Sequence, residues 1–217
     1  VGHMQHNARD PLRDHVHGRI YRITYPSRPL VVPATINGAS IEVLLDNLKL
    51  PEYRTRYRSR RALRGRDVNE VSKALKHWVA NLDTNNQLYG HHMLEALWVS
   101  WGNNKIDLDI LKEVFNSKDY RLRAAAVRVI RYMGVQIPES DKWLIQAADD
   151  PHGQVRLEAI VAASWKDSLL AEKILASAVA WPIDDWMLDT YNAVASNFGF
   201  LTSYNGDKNK FKNKEVH

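Results

Sequence analysis

DPHGQVRLEA, from Asp150 to Ala159, couples a helix breaker to a helix former. Proline has no amide hydrogen to donate and disfavours helix in the residue before it, so Asp150-Pro151 ends one segment. From Gln154 onward the pattern is helical. Small residues recur in the middle of every second helical segment: Ala62, Ala96, Ala126 and Ala159, at spacings of 34, 30 and 33. A period of that size signals stacked helical pairs. Alanine suits such positions because a helix flanked by two neighbours must bring backbones close together.

Outward from this stretch, the chain reads as helices over about 40–49, 52–65, 67–82, 87–101, 107–116, 119–133, 139–149, 153–165, 167–180 and 184–198. Ser40, Asp67, Asp107 and Ser140 stand near helix starts, where a side-chain oxygen can cap free amides. Gly65, Gly102 and Gly134 stand near helix ends, where a left-handed residue costs little. Leu94, Leu97, Trp98 and Trp101, like Val127, Ile130 and Met133, follow helical spacing toward a stacked core.

Composition bounds what this array can be. The chain has 217 residues, is 45% hydrophobic, carries a formal charge of +5 and has no cysteine. Disulfides, thiolate zinc sites, iron–sulfur clusters and a Cys-x-x-Cys-His haem attachment are therefore excluded within it. No apolar run is long enough to span a membrane. VGHMQHNARD has no signal-peptide core and reads as a cloning remnant or as the interior of a longer chain. Residues 1–38 are rich in His, Arg, Pro and Gly and contain one strand-like run, GRIYRITY from Gly18 to Tyr25. Tyr21, Ile23 and Tyr25 alternate there against Ile20, Arg22 and Thr24, and a lone strand needs a sheet from elsewhere. Prolines at 26, 29 and 33 mark an extended linker, residues 39–200 hold the helices, and 201–217 form a basic tail expected to be disordered.

Asp150, Val155, Arg156 and Ala159 resemble the turn and second helix of a HEAT repeat. The copy around Arg123 matches in part, with Leu122 and Ala126 in place and Ser117 where the aspartate should stand. The copy at 94–101 lacks the arginine. The resemblance implies an all-α, HEAT-like solenoid of antiparallel helical pairs with a short extended N-terminal segment. GHMQHNARDPLRDHVHGRIYRITYPSRP, followed by a proline-rich linker and this array, is similar to PVC-type membrane-bound dehydrogenases. In those, a glucose/sorbosone dehydrogenase-like propeller leads into a HEAT-like domain. YRSRRALRGRD and HHMLEALWVSWG fit the same domain. The resemblance makes residues 1–38 the end of a propeller-like domain with its linker. It implies a periplasmic or membrane-associated setting, with haem or quinone elsewhere in a parent protein and no cofactor in this segment. The chain would then be a non-catalytic scaffold whose partners are protein modules of the same chain or another protein.

Four clusters carry chemistry. His3, His6, Asp10, Asp14, His15 and His17 are metal-ligand types, and in a propeller they would lie near the central channel, completing a metal or quinone site. Solvated polar residues are the favoured reading, since Arg9 and Arg13 would repel a cation. His3, His6, Asp14 and His17 are the weak metal candidates. Arg54, Arg56, Arg58, Arg60, Arg61, Arg64 and Arg66 form a basic run with Tyr53 and Tyr57 between them. It would bind an acidic or phosphate-bearing partner, or else pair internally with Glu42, Asp46, Glu52, Asp67 and Glu70. Nucleic acid is the minority option, because no sequence-reading motif accompanies the run. His91 and Glu95, one turn apart, could share a proton or a metal, although a buried hydrogen-bonded histidine fits better. The seven tryptophans suit inter-helix core positions. No P-loop, dinucleotide fingerprint or Ser/His/Asp order is present, so no catalytic residue is assigned.

Overall fold

The computed structural model describes residues 16–200 except Arg19, Thr24, Pro26 and Arg28. The chain divides between Pro33 and Ala34. In the first unit Gly18, Ile20, Tyr21, Arg22, Ile23 and Tyr25 take no regular structure, so the expected strand is not formed among the described residues. The physical reason is the one that governs any lone strand: the unit has no described sheet to pair with. Ile20 and Ile23 are fully exposed as a result.

The second unit is all-helical among its described residues. Its helices are α1 (Ile41–Asp46), α2 (Tyr53–Arg64), α3 (Val68–Ala80), α4 (Tyr89–Gly102), α5 (Leu108–Phe115), α6 (Tyr120–Met133), α7 (Ser140–Ala148), α8 (Gly153–Ala163), α9 (Ser168–Ala178) and α10 (Asp185–Asn197). Their caps explain their starts. Ser40 accepts from Val43 N, Asp67 from Asn69 and Glu70 N, and Asp107 from Asp109 and Ile110 N. Asp119, Asp167 and Asp184 do the same for α6, α9 and α10. Ser140 is no cap; it is the first residue of α7 and follows Glu139, which makes no side-chain cap bond. Nor do Gly65 and Gly134 turn left-handed, since φ is −89° and −51° there. The left-handed residue of this region is Asn104, at φ 54°, just after α4.

The even-numbered helices pack in succession: α2 on α4, α4 on α6, α6 on α8 and α8 on α10. Consecutive helices also pair, as α5 with α6 and α7 with α8, while α7 meets α9 and α1 meets α3. Leu44, Leu63, Leu97, Leu111, Ile130, Leu144, Ile160 and Ile174 are buried between these layers. Ala96, Ala126 and Ala159 are fully buried, while Ala62 is only half-buried.

Candidate binding cleft

Three arginines make the same bonds. Arg56 is the fourth residue of α2, Arg123 of α6 and Arg156 of α8. Each turns Nη1 back to the two carbonyls six and five residues earlier. These are Leu50 and Pro51 at 2.8 and 2.6 Å, Ser117 and Lys118 at 2.9 and 3.0 Å, and Asp150 and Pro151 at 2.8 and 3.0 Å. Each then reaches forward with one or both of its other nitrogens. Arg56 Nε meets Glu95 Oε1 at 3.0 Å, Arg123 meets both oxygens of Asp150, and Arg156 Nη2 meets the Pro182 carbonyl at 2.6 Å. One guanidinium therefore closes its own turn and ties it to α4, to the turn before α8 or to the turn before α10, a use its fork of five donors permits. Among the described residues Arg156 bonds to carbonyls alone and to no carboxylate. Asp150 accepts from His152 N at 2.8 Å. In α4 the fourth residue is His92, buried edge-on to Trp78 with Nε2 unpartnered.

This register moves the small-residue ladder. Three positions after the arginine stand Ser59, Ala126 and Ala159, and at the matching place in α4 stands Glu95. Where its neighbours carry small side chains, α4 buries a carboxylate that is 3% exposed. Removing a charge from water is costly unless it is paired, and Glu95 is paired twice: with Arg56, and with Arg60 through a short bond. His91 Nε2 lies 3.8 Å from Glu95 Oε1, a weak third partner. Burial lowers the His91 imidazole below its ordinary value; Glu95 opposes this, and Arg56 and Arg60 add to it. At neutral pH the charge around Glu95 is therefore that of the arginines.

Above this pair opens a cleft of about 760 Å³, lined by α2 residues Tyr53, Arg56, Tyr57, Arg60, Arg61 and Arg64, by α4 residues His91, Glu95, Trp98, Trp101 and Gly102, and by Arg128 of α6. Its volume falls in the range of ordinary ligand sites. Its lining sets five guanidiniums against the single carboxylate of Glu95. Trp98 and Trp101 supply an apolar floor, their ring centroids 5.4 Å apart. From Trp101 a row of rings runs along the even helices: Trp101 stacks on Tyr132 at 5.5 Å, and Tyr132 meets Trp165 edge-on at 5.1 Å. These are the thirteenth residues counted from the starts of α4, α6 and α8, so the ring row repeats in the same register as the arginines.

The basic run divides on this cleft. Arg56, Arg60, Arg61 and Arg64 line it; Arg54 and Arg58 are exposed outside it, and Arg66 donates to the Ala39 carbonyl. Glu42, Asp46, Glu52, Asp67 and Glu70, the expected internal partners, pair with no arginine of the run among the described residues. Asp46 is taken by Lys49 and the Trp78 indole, and Asp67 by the cap of α3. The pairing carboxylate, Glu95, comes from α4 instead. Trp78 is buried and Trp98, Trp101 and Trp143 are half-buried, whereas Trp165 and Trp186 are 59% and 80% exposed, outside the expected core positions. His17 is exposed, and His3, His6 and Asp14 lie outside the described residues. Among the described residues no three His, Asp or Glu side chains gather to hold a metal, and no helix is long and apolar enough to cross a membrane.

No protein-family model matches the chain, and neither a curated protein nor a solved structure is found similar to it.

Proposed function

We propose that the chain is a HEAT-like α-solenoid that serves as a non-catalytic scaffold, docking protein modules of a propeller-type dehydrogenase. The carrying observation is the thrice-repeated arginine at Arg56, Arg123 and Arg156, each joining its own turn to the next repeat. Such nearest-neighbour ties are what hold a one-dimensional stack of repeats. A scaffold of this kind offers an extended surface for partners. The exposed strand formers Ile20, Tyr21, Ile23 and Tyr25 support the link to a propeller, since they are apolar surface of the type that a partner sheet covers.

The test is the coding sequence on both sides of this segment, followed by separate expression of what it encodes. A propeller domain before Val1 and a Cys-x-x-Cys-His motif beyond His217 are expected, and the isolated propeller should bind this chain. Flanking sequence with neither, or a propeller with no affinity for the chain, overturns the dehydrogenase scaffold in favour of a stand-alone binding protein.

A further inference from the structure

In α6 the ninth and twelfth residues, Arg128 and Arg131, hold a carboxylate from the next even helix. Arg128 bonds Glu158 through Nε at 3.1 Å and through a shorter Nη2 bond, and Arg131 Nη1 stands 3.6 Å from Glu158 Oε2. The ninth and twelfth residues of α2 are Arg61 and Arg64. The two helices share a register, because their fourth residues make the same bonds to the preceding turn. Glu158 is the sixth residue of α8, and the sixth residue of α4 is Leu94. So α2 repeats the arginine pair while α4 lacks the carboxylate that would fill it.

The consequence is visible in the cleft. Arg61 and Arg64 are exposed, line it, and make no ion pair among the described residues. Arg61 rests over the Tyr57 ring at 5.9 Å. Arg64 lies against the bare backbone of Gly102, where a Cβ would come within 3.2 Å of Nη2. The apolar floor of Trp98 and Trp101 lines the same cleft.

We propose that Arg61 and Arg64 bind a carboxylate of an acidic peptide segment in a partner protein, with an adjacent apolar side chain of that segment lying on Trp98 and Trp101. The inference rests on the chain being a docking scaffold and names the chemistry of what it docks. A carboxylate is the anion that arginine pairs of these helices already hold twice, at Glu95 and at Glu158. Planar guanidiniums match it in two-point geometry. A single-stranded nucleic acid would need ring faces free to stack on its bases. Trp101, Tyr132 and Trp165 are instead engaged with one another at 5.5 and 5.1 Å, and Tyr53 with Tyr57 at 6.3 Å.

The experiment is fluorescence anisotropy of a short labelled peptide with an Asp-Leu-Glu centre, titrated with the full chain at about 0.15 M salt, where unpaired surface charges are well screened. Binding is expected. It should weaken by about tenfold or more, the scale of one lost charge-assisted contact, in the double variant Arg61→Gln, Arg64→Gln. Leu94→Glu, which supplies the missing internal carboxylate, should weaken it equally. If Leu94→Glu fails to fold, the arginine variant decides alone, since both of its positions are exposed. The site is refuted if the peptide does not bind, if it binds the arginine variant as well as the parent, if its Asn-Leu-Gln counterpart binds equally, or if phosphate or an oligothymidylate displaces it at lower concentration than unlabelled peptide does. If the acidic peptide fails while a flanking propeller domain still binds, the site falls and the scaffold stands. If the peptide binds and no such domain exists, the scaffold falls and the site stands.

Discussion

Arg123 grips Asp150 at two points, Nε to Oδ2 at 2.6 Å and Nη2 to Oδ1 at 2.8 Å, although they are separated by 27 residues of chain. The side chains are 17% and 11% exposed, so water competes little for either. Asp150 also receives the His152 amide, and burial of the pair raises the cost of losing one member. Asp150→Ala should therefore destabilise the fold by about 2 kcal/mol, more than a lost cap alone, as expected for hydrogen bonds to charged groups. Arg123→Lys should recover little, because an ammonium cannot hold two carboxylate oxygens and two carbonyls at once. Urea unfolding checks both; an unchanged midpoint for Asp150→Ala refutes the tie between the turns before α6 and α8.

Arg56 and Arg60 share Glu95 but differ in what else they hold. Arg56 also closes its own turn at Leu50 and Pro51, whereas among the described residues Arg60 has no second partner besides the Tyr53 ring at 6.0 Å. Arg56→Ala should cost more stability than Arg60→Ala, by about 1 kcal/mol for the extra backbone bonds. Glu95→Ala should lower stability and add positive charge to the cleft, strengthening binding of an acidic peptide. Melting curves of the three variants set the order; equal losses for Arg56 and Arg60 contradict the turn-closing role.

The helices were legible because their signals are local. Asp67, Asp107 and Asp150 punctuate the chain, and the apolar spacing between them is helical. The cleft was legible only in pieces. Arg56 was hidden inside a run of arginines, its turn reads Leu-Pro-Glu rather than Asp-Pro, and Ser59 occupies the small-residue position, so alanine spacing pointed to Ala62 instead. Glu95 gave only a local signal, its proximity to His91. Its principal partners stand 35 and 39 residues away on another helix, a pairing that no spacing rule along one helix can reveal. Arg128 and the exposed ring of Trp165 escaped for the same reason: which helix stands beside which is decided by packing. Alternation alone put a strand at Gly18–Tyr25, but a strand also depends on a neighbour that local sequence does not supply.

Stability should fall in mild acid. His91, His92 and His152 all titrate below their ordinary value of 6.5, in each case chiefly through burial. His152 has a further reason to stay neutral, since its Nδ1 caps α8 by accepting from Gln154 N at 3.2 Å and its ring stacks on Tyr120. A group with a depressed folded value binds protons more readily in the unfolded chain, so stability rises with pH through the window below 6.5 and levels off above it. Asp46 and Asp119, also lowered, act in the same direction below their ordinary 3.8. The urea midpoint should drop between about pH 7 and about pH 5, with a shallower drop in His152→Ala. A midpoint flat across that interval refutes the assignment.

Ser59 is wholly buried, and its Oγ has no hydrogen-bond partner among the described residues. It stands where α6 and α8 carry Ala126 and Ala159, each fully buried between even helices. A hydroxyl taken from water without a new bond opposes folding, and alanine removes it while leaving the Cβ that fills the space. Ser59→Ala should therefore leave the fold intact and raise its stability by up to about 1 kcal/mol, seen as a higher melting temperature with an unchanged helical signal. Acidic-peptide binding should be unaltered, because Ser59 is absent from the lining of the cleft. A lower melting temperature would mean that the hydroxyl has a bonding partner after all, and that the α2–α4 contact is not the equivalent of those farther along the stack.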